Sequence, residues 1–253
     1  MRERNATESL SGISALAPIA AATTAAVAKP DDAATTLSER ALAAWEMVSV
    51  VCSIVVAEWA VLALADAHKL FLVVPVGCAS ALMLYSHRAR HETARQLGWR
   101  FDNFGRAMLL LLLPMCVGAL LLALIAWWLG NDLVVGKARS GWALLGLPVG
   151  GFVWGLLQQY VLQAFINRRA QLVWGAGWRS VLCVGALFGL LHLPNPWLAA
   201  TTFAGGFVWA WVYQRTPNLF ALAVSHACMT WVLVSTLPPS ALRGLRVGYK
   251  FFG

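Results

Sequence analysis

Charged residues are scarce in this chain of 253 residues. Only 12% of the residues are Asp, Glu, Lys or Arg, whereas 60% are hydrophobic. A soluble domain carries about 25% charged residues, so the composition excludes an ordinary soluble protein. It predicts an integral membrane protein whose first partner is the lipid bilayer. The thirteen tryptophans agree with this interpretation, because Trp favours the membrane–water interface.

Paired cysteines and nucleic-acid-binding runs are missing as well. The five cysteines stand singly in apolar segments, which predicts buried small side chains and no disulfide framework. Two histidines without a third ligand make a weak zinc site, so no metal and no cofactor are predicted. The net charge is +8, but no arginine-rich run alternates with aromatics. We therefore expect no nucleic-acid partner.

The hydropathy pattern divides the chain into four segments. Residues 1–41 are rich in Ala and Thr and predict a disordered tail without a signal-peptide pattern; a regulatory role of this tail is left open. Transmembrane helices follow in 42–141, a helical core in 142–237, and a short basic C-terminal tail in 238–253. The sequence thus predicts an all-α polytopic membrane protein with about seven transmembrane helices. The predicted spans are 43–65, 69–86, 107–130, 142–167, 179–193, 196–214 and 218–237.

Basic residues are distributed unevenly between the two ends of these spans. Thirteen Lys and Arg fall on the face that holds the N-terminus and the loop from His87 to Arg106, and six fall on the other. By the positive-inside rule the N-terminus is predicted to be cytoplasmic and the C-terminus external. A bacterial inner membrane is the predicted location.

Amide side chains interrupt the fourth apolar span at Gln158, Gln159 and Gln163. An unpaired amide in hydrocarbon costs several kcal/mol, so such groups face a bundle interior or a cavity. Gln159 and Gln163 are four residues apart and share a helix face. Counted from the nearest arginines, Gln158, His192 and His226 all lie roughly 15–20 Å from the basic face. We therefore predict that three helices bring these polar groups to one internal site.

The order and spacing of three motifs resemble the CPBP family, which comprises type II CAAX prenyl endopeptidases and bacteriocin-processing membrane proteins. Residues 142–237 are similar to its four-helix core. The family's Glu-Glu-x-x-x-Arg is replaced here by Gln158-Gln159 and Gln163. Its Phe-x-x-x-His is matched by Phe188 and His192, and its His-x-x-x-Asn by His226 with Thr230 in place of Asn.

The resemblance implies an intramembrane endopeptidase that acts on a membrane-associated protein or peptide. It assigns a catalytic set at Gln158, Gln159, His192 and His226, supported by Gln163, Phe188 and Thr230. In the family a Glu and a His activate water, and the later His and Asn stabilise the oxyanion. An amide has no useful basicity. The alternative is therefore a catalytically inactive relative that binds a peptide, lipid or protein in the same cavity.

Glu58 is the deepest carboxylate in the predicted spans and is the candidate base if the chain hydrolyses peptides. A protonated Glu58 bonded to a neighbouring helix is the structural alternative. The Gln residues can equally join helices, His192 can satisfy backbone carbonyls beside Pro194, and His226 with Thr230 can make an ordinary helix contact. A transporter is a third function class, without a visible inverted repeat.

Overall fold

A computed structural model describes residues 30–64, 69–130 and 141–253. Within these ranges all regular elements are helical, and no β-strand occurs. The protein is an all-α polytopic membrane protein, as the composition predicted. Residues 1–29, which belong to the predicted disordered tail, lie outside the described ranges.

Seven main helices follow one another along the described chain, and two of them contain a wider π-helical stretch. The first, α1, begins as Pro30–Val55 and continues through the π-helical Val56–Val61 to Leu62–Leu64. The fourth, α4, is built in the same way from Gly141–Gln159, the π-helical Tyr160–Asn167 and Arg168–Trp174. The others are α2 (Val73–Ala89), α3 (Phe104–Trp128), α5 (Trp178–Leu190), α6 (Pro196–Arg215) and α7 (Leu219–Thr236).

Five helical segments of the described chain are long and apolar enough to cross a membrane. They are Thr36–Leu64, Leu70–Ala89, Phe104–Trp128, Val149–Trp174 and Leu219–Thr236. The other two predicted spans correspond to α5, which has 13 residues, and α6, which has 20. The predicted seven spans thus comprise five full-length apolar helices and two others.

The first helix starts earlier than the hydropathy pattern indicated. It begins at Pro30, so residues 30–41 of the predicted disordered tail are helical. The physical reason is local, since proline is favoured in the first turn of a helix. The alanines that follow are strong helix formers even without an apolar face. The boundary predicted at 41 marks the start of the apolar stretch and not the start of the helix.

The loop between α2 and α3 docks on the turn between α6 and α7. Asn218 donates from Nδ2 to the carbonyl of Arg100 at 2.7 Å and to Oδ1 of Asn103 at 2.7 Å. Its own Oδ1 accepts from the amide of Ala221 at 2.8 Å and caps α7. These bonds place the start of α7 on the face that carries the loop. We call the face formed by this loop, Arg168, Arg169, Arg179 and Arg215 the basic face.

The C-terminal residues close the opposite end of the bundle. The buried Asn195 caps α6 and donates from Nδ2 to the carbonyl of Leu242 at 2.9 Å. The Gly248 amide donates to the carbonyl of Leu193 at 2.9 Å. The turn between α5 and α6 is therefore held inside the bundle, and the predicted C-terminal tail is an ordered part of the fold.

Glycines allow α5 and α6 to pack at close range. A Cβ atom at Gly189 would lie 3.0 Å from the carbonyl oxygen of Ala199 and 3.0 Å from the Cβ of Phe203. At Gly185 it would lie 3.0 Å from the carbonyl oxygen of Phe203. The two glycines form a Gly-x-x-x-Gly pattern, which lets membrane helices approach closely. This contact fixes α5, and with it His192, against α6.

Candidate active site between α4, α5, α6 and α7

A close crossing of α4 and α7 brings the first two site residues together. A Cβ atom at Gly155 would lie 3.2 Å from the carbonyl oxygen of Ala223 and 3.3 Å from the Cβ of His226. One turn further along α4, Gln159 Nε2 lies 3.3 Å from His226 Nδ1. Gln159 is fully buried and His226 is 7% exposed. The predicted convergence of Gln159 and His226 is therefore present as a direct hydrogen bond.

The imidazole of His226 is held by a tryptophan that the sequence motifs did not include. The ring of Trp209 stacks on it with centroids 4.7 Å apart and an interplanar angle of 5°. Trp209 Nε1 in turn donates to Ser225 Oγ at 3.0 Å. The position of Trp209 at mid-membrane depth could have indicated a role in the site, because most membrane tryptophans lie at the interfaces. Stacking and the Gln159 bond together fix the orientation of His226.

A backbone carbonyl defines the protonation of His192. Its Nδ1 lies 2.7 Å from the carbonyl oxygen of Phe188. A carbonyl oxygen can only accept, so Nδ1 carries the hydrogen, and Nε2 of the neutral ring carries the lone pair. His226 has the opposite arrangement. Its Nδ1 accepts from the Gln159 amide, so its hydrogen is on Nε2.

The ring of Phe188 contacts both histidines. Its centroid lies 4.7 Å from that of His192, in an edge-to-face arrangement, and 6.2 Å from that of His226. The carbonyl of Phe188 also accepts from Thr202 Oγ1 at 3.4 Å. The structure therefore brings Gln159, His192 and His226 into one cluster around Phe188.

A cavity of about 470 Å³ adjoins this cluster between α3, α6 and α7. Its lining is mainly apolar and includes Met115, Leu122, Val208 and Met229. The polar groups that reach it are His226, Thr230, Ser225, Thr201 and Thr202. A mainly apolar cavity with a few convergent polar groups is the usual form of a binding site.

Three other predicted residues have different surroundings. Gln158 is half-buried, and its side chain makes no hydrogen bond within the described part of the chain. Gln163 Oε1 accepts from Asn167 Nδ2 at 2.8 Å, one turn nearer the basic face. Glu58 lies in the π-helical end of α1, where a Cβ atom at Gly248 would be 2.8 Å from its carbonyl oxygen. Of the described residues, no carboxylate bonds to either site histidine.

The family comparison matches the part of the chain that builds this cluster. Residues 140–232 match the family model described as Type II CAAX prenyl endopeptidase Rce1-like. Over these residues the chain is similar to the Rce1-like family, which agrees with the resemblance indicated by the sequence motifs. The similarity supports a CPBP-type protease-like role. No curated protein and no solved structure matches the chain.

A buried ionic cluster anchors the family-matched residues to the helices before them. Arg169 is fully buried and donates from two nitrogens to the two carboxylate oxygens of Glu92, at 3.0 Å each. Its Nε donates to Glu46 Oε2 at 2.9 Å, and Nη2 donates to Ser86 Oγ at 2.8 Å. The charge pattern of the sequence placed the arginines on one face but did not pair them with carboxylates. The available signal was an arginine pair next to an apolar helix that also carries amides.

The Glu92 carboxylate is the centre of this ionic cluster. Burial raises its pKa, but hydrogen bonds from His87, Arg169 and Arg168 outweigh burial and hold the pKa far below its usual range. Glu92 is therefore ionised in the folded protein. The described residues contain no group of three or more His, Cys, Asp or Glu that could hold a metal ion.

Proposed function

We propose that this protein is an intramembrane endopeptidase of the Rce1-like, CPBP class that cuts a membrane-associated protein or peptide. The proposal is carried by one observation, the different hydrogen-bond partners of the two site histidines. His192 offers a lone pair at Nε2, and His226 offers a hydrogen at Nε2. A hydrolytic site needs one group that takes a proton from water and one that donates to the developing negative charge.

His192 takes the place of a carboxylate base in this mechanism. Its Nε2 accepts a proton from a water molecule while the water oxygen forms a bond to the scissile carbonyl carbon. The Phe188 carbonyl stabilises the imidazolium that results, because it accepts the Nδ1 hydrogen. The proton then passes to the leaving amine as the peptide bond breaks. No step requires Gln158 or Gln159 to act as a base.

His226 and Thr230 serve the carbonyl oxygen of the substrate. Both line the cavity and lie one helical turn apart on α7. Gln159 sets the hydrogen of His226 on Nε2, and Trp209 fixes the plane of the ring. The Thr230 hydroxyl is a hydrogen-bond donor where the family has an asparagine amide. Preorganised donors of this kind are worth about 10²–10³ in rate each.

The test is cleavage by the purified protein in proteoliposomes. Quenched peptides that carry a farnesyl-CAAX end, an acyl chain or a transmembrane anchor serve as substrates, and mass spectrometry locates the cut. His192→Gln should lower the rate by about 10²–10⁴, the usual contribution of general base catalysis. His91→Gln, which changes an exposed loop histidine, is the matched control. Cleavage that survives His192→Gln and is lost in Glu58→Gln would assign the base to Glu58 instead.

The second candidate is a catalytically inactive relative that binds a peptide, lipid or protein in the same cavity. The observation that favours it is Gln159, an amide that bonds to His226 where the family has a carboxylate. In this case the wild type binds the anchored peptides without cutting them. Gln158→Glu combined with Gln163→Arg, which restores one glutamate–arginine pair of the family's motif, would then be needed to produce cleavage.

The proposal also covers the membrane in which the protein lies and its orientation in that membrane. We assign the basic face to the cytoplasm by the positive-inside rule, and the membrane to the inner membrane of a bacterium. The cavity then lies in the half of the bilayer away from the cytoplasm, between the site histidines and the C-terminal residues.

A further inference from the structure

The polar residues of α4 form a continuous stripe. Gln159, Gln163, Asn167 and Gln171 occur at every fourth position, from the site to the end of the helix. In an α-helix a four-residue step drifts by about 40° around the axis, because a turn takes 3.6 residues. The π-helical stretch Tyr160–Asn167 has a wider turn and counters this drift. The stripe therefore stays on one face, which contacts α7 at Gln159 and α6 at Asn167.

Hydrogen bonds connect the end of the stripe nearest the basic face to the surface. Asn167 Oδ1 accepts from Gln214 Nε2 at 2.9 Å and from Gln171 Nε2 at 3.1 Å. Gln214 also donates to Ser180 Oγ at 2.9 Å and accepts from the exposed Gly177 amide at 2.9 Å. This polar line reaches the basic face, where Arg168 and Arg179 lie.

Two atoms at the end of the stripe nearest the site have no hydrogen-bond partner. They are Gln159 Oε1 and Gln163 Nε2, on side chains that are fully buried. One is an acceptor and the other a donor, and their residues are one turn apart on the same face. Leaving each buried group unsatisfied costs about 1–3 kcal/mol. A water molecule accepts and donates, and buried waters make about three hydrogen bonds to groups of this kind.

We propose that the stripe is a water-binding path from the basic face to the site, with a buried water bridging Gln159 and Gln163. The path leads to the side of His226 that faces α4, away from the apolar cavity. It brings water to Gln159 without opening the cavity to the aqueous phase. The path does not depend on cleavage and would exist equally in a protein that only binds.

Aqueous silver ions test the path, because Ag⁺ follows water and reacts with thiols. In a cysteine-free protein, Gln163→Cys places a thiol on the stripe and Ala164→Cys places one beside it. Both positions are fully buried. In proteoliposomes, Ag⁺ added at the basic face should protect the Gln163→Cys thiol from later maleimide labelling. Protection should be at least about tenfold faster than for Ala164→Cys, equivalent to about 1.4 kcal/mol of activation free energy.

A second substitution that blocks the path tests whether silver ions enter from the basic face. Asn167→Leu added to Gln163→Cys should slow the silver reaction, because Asn167 lies between position 163 and the basic face. Equal rates at 163 and 164 would overturn the proposal, and so would a fast reaction that Asn167→Leu leaves unchanged. If Gln163→Cys does not fold, Asn167→Cys against Ala170→Cys is a second pair of fully buried positions. None of these rates involves peptide cleavage, so the result is independent of the proposed enzyme activity.

Discussion

At the scale of single residues, two adjacent glutamines have different roles. Gln159 is fully buried and bonded to His226, whereas Gln158 is half-buried and its side chain has no hydrogen bond among the described residues. Gln159→Leu leaves the Nδ1 of a buried histidine without a donor. We expect this change to lower the free energy of unfolding by about 1–3 kcal/mol.

Gln158→Leu is the matched control, with an expected change within about 0.5 kcal/mol. Denaturant unfolding in detergent micelles, followed by tryptophan fluorescence, measures both variants. A larger loss in Gln158→Leu than in Gln159→Leu would show that position 158 carries the structural contact.

The sequence predicted which helices meet but not which glutamine meets His226. Counting residues from the arginines gave the common depth of Gln158, His192 and His226, since the rise of a helix is fixed. The rotation of α4 is set by its π-helical stretch, and an apolar run without a clear period carries no sign of such a stretch. Trp209 was missed for a related reason, because its role depends on the packing of α6 against α7.

At the scale of helices, the crossing of α5 and α6 depends on glycines, which have no side chain. Gly189→Val would push a branched side chain against the Ala199 carbonyl and Phe203. Overpacking of this kind costs about 1–3 kcal/mol. It should also displace His192, which follows one turn later, so we expect reduced stability together with reduced binding or cleavage of anchored peptides.

Gly77→Val is the control for this crossing. Gly77 lies in α2, and a Cβ atom at this position would have nothing within 4 Å. Thermal unfolding of both variants in the same detergent makes the comparison. Similar losses at both positions would mean that the intrinsic helix propensity of glycine and valine determines the result, and not the helix contact.

Helix boundaries could be predicted only where the hydropathy of the sequence changes at the end of the helix. The spans that became α3 and α7 begin and end within a few residues of their predicted limits. The start of α1 was missed because Ala-rich helix can extend into water without an apolar face. The ordered C-terminal residues were missed because their anchor is a set of backbone contacts with Asn195 and Leu193.

At the scale of the whole molecule, the ionic cluster makes stability depend on pH. The folded pKa of Glu92 is far below its ordinary value of 4.5. Its contribution is therefore fully present above that value and is lost as the pH falls towards the folded pKa. We expect the unfolding temperature to drop on acidification below about pH 4.5, and to drop less in Glu92→Gln. Equal acid sensitivity of the two proteins would contradict this role.

Removing the arginine tests the same cluster from the other side. Arg169→Leu leaves the carboxylates of Glu46 and Glu92 without their shared partner. Breaking a buried ion pair by removing one member costs about 3–5 kcal/mol. Arg95→Leu, which removes an exposed guanidinium bonded to Asp102, should change the unfolding free energy by less than about 1 kcal/mol.

The orientation of the molecule is open to a direct test with two cysteines. Ala94 is exposed in the loop on the basic face, and Ser240 is exposed beyond the far end of α7. In intact cells that express cysteine-free protein, an impermeant maleimide should label Ser240→Cys and not Ala94→Cys. Labelling of Ala94→Cys alone would reverse the predicted topology.

The ionic cluster also limits how this domain can be inherited. Arg169 lies within the family-matched residues 140–232, but the carboxylates that neutralise it, Glu46 and Glu92, lie before them. A gene fusion that transferred the matched residues alone to a new set of helices would import a buried cation without its counter-ions. The residues before the matched part can therefore diverge in sequence, but a replacement must place two carboxylates beside Arg169. The smallest transferable unit consists of the matched residues together with the segments that carry Glu46 and Glu92.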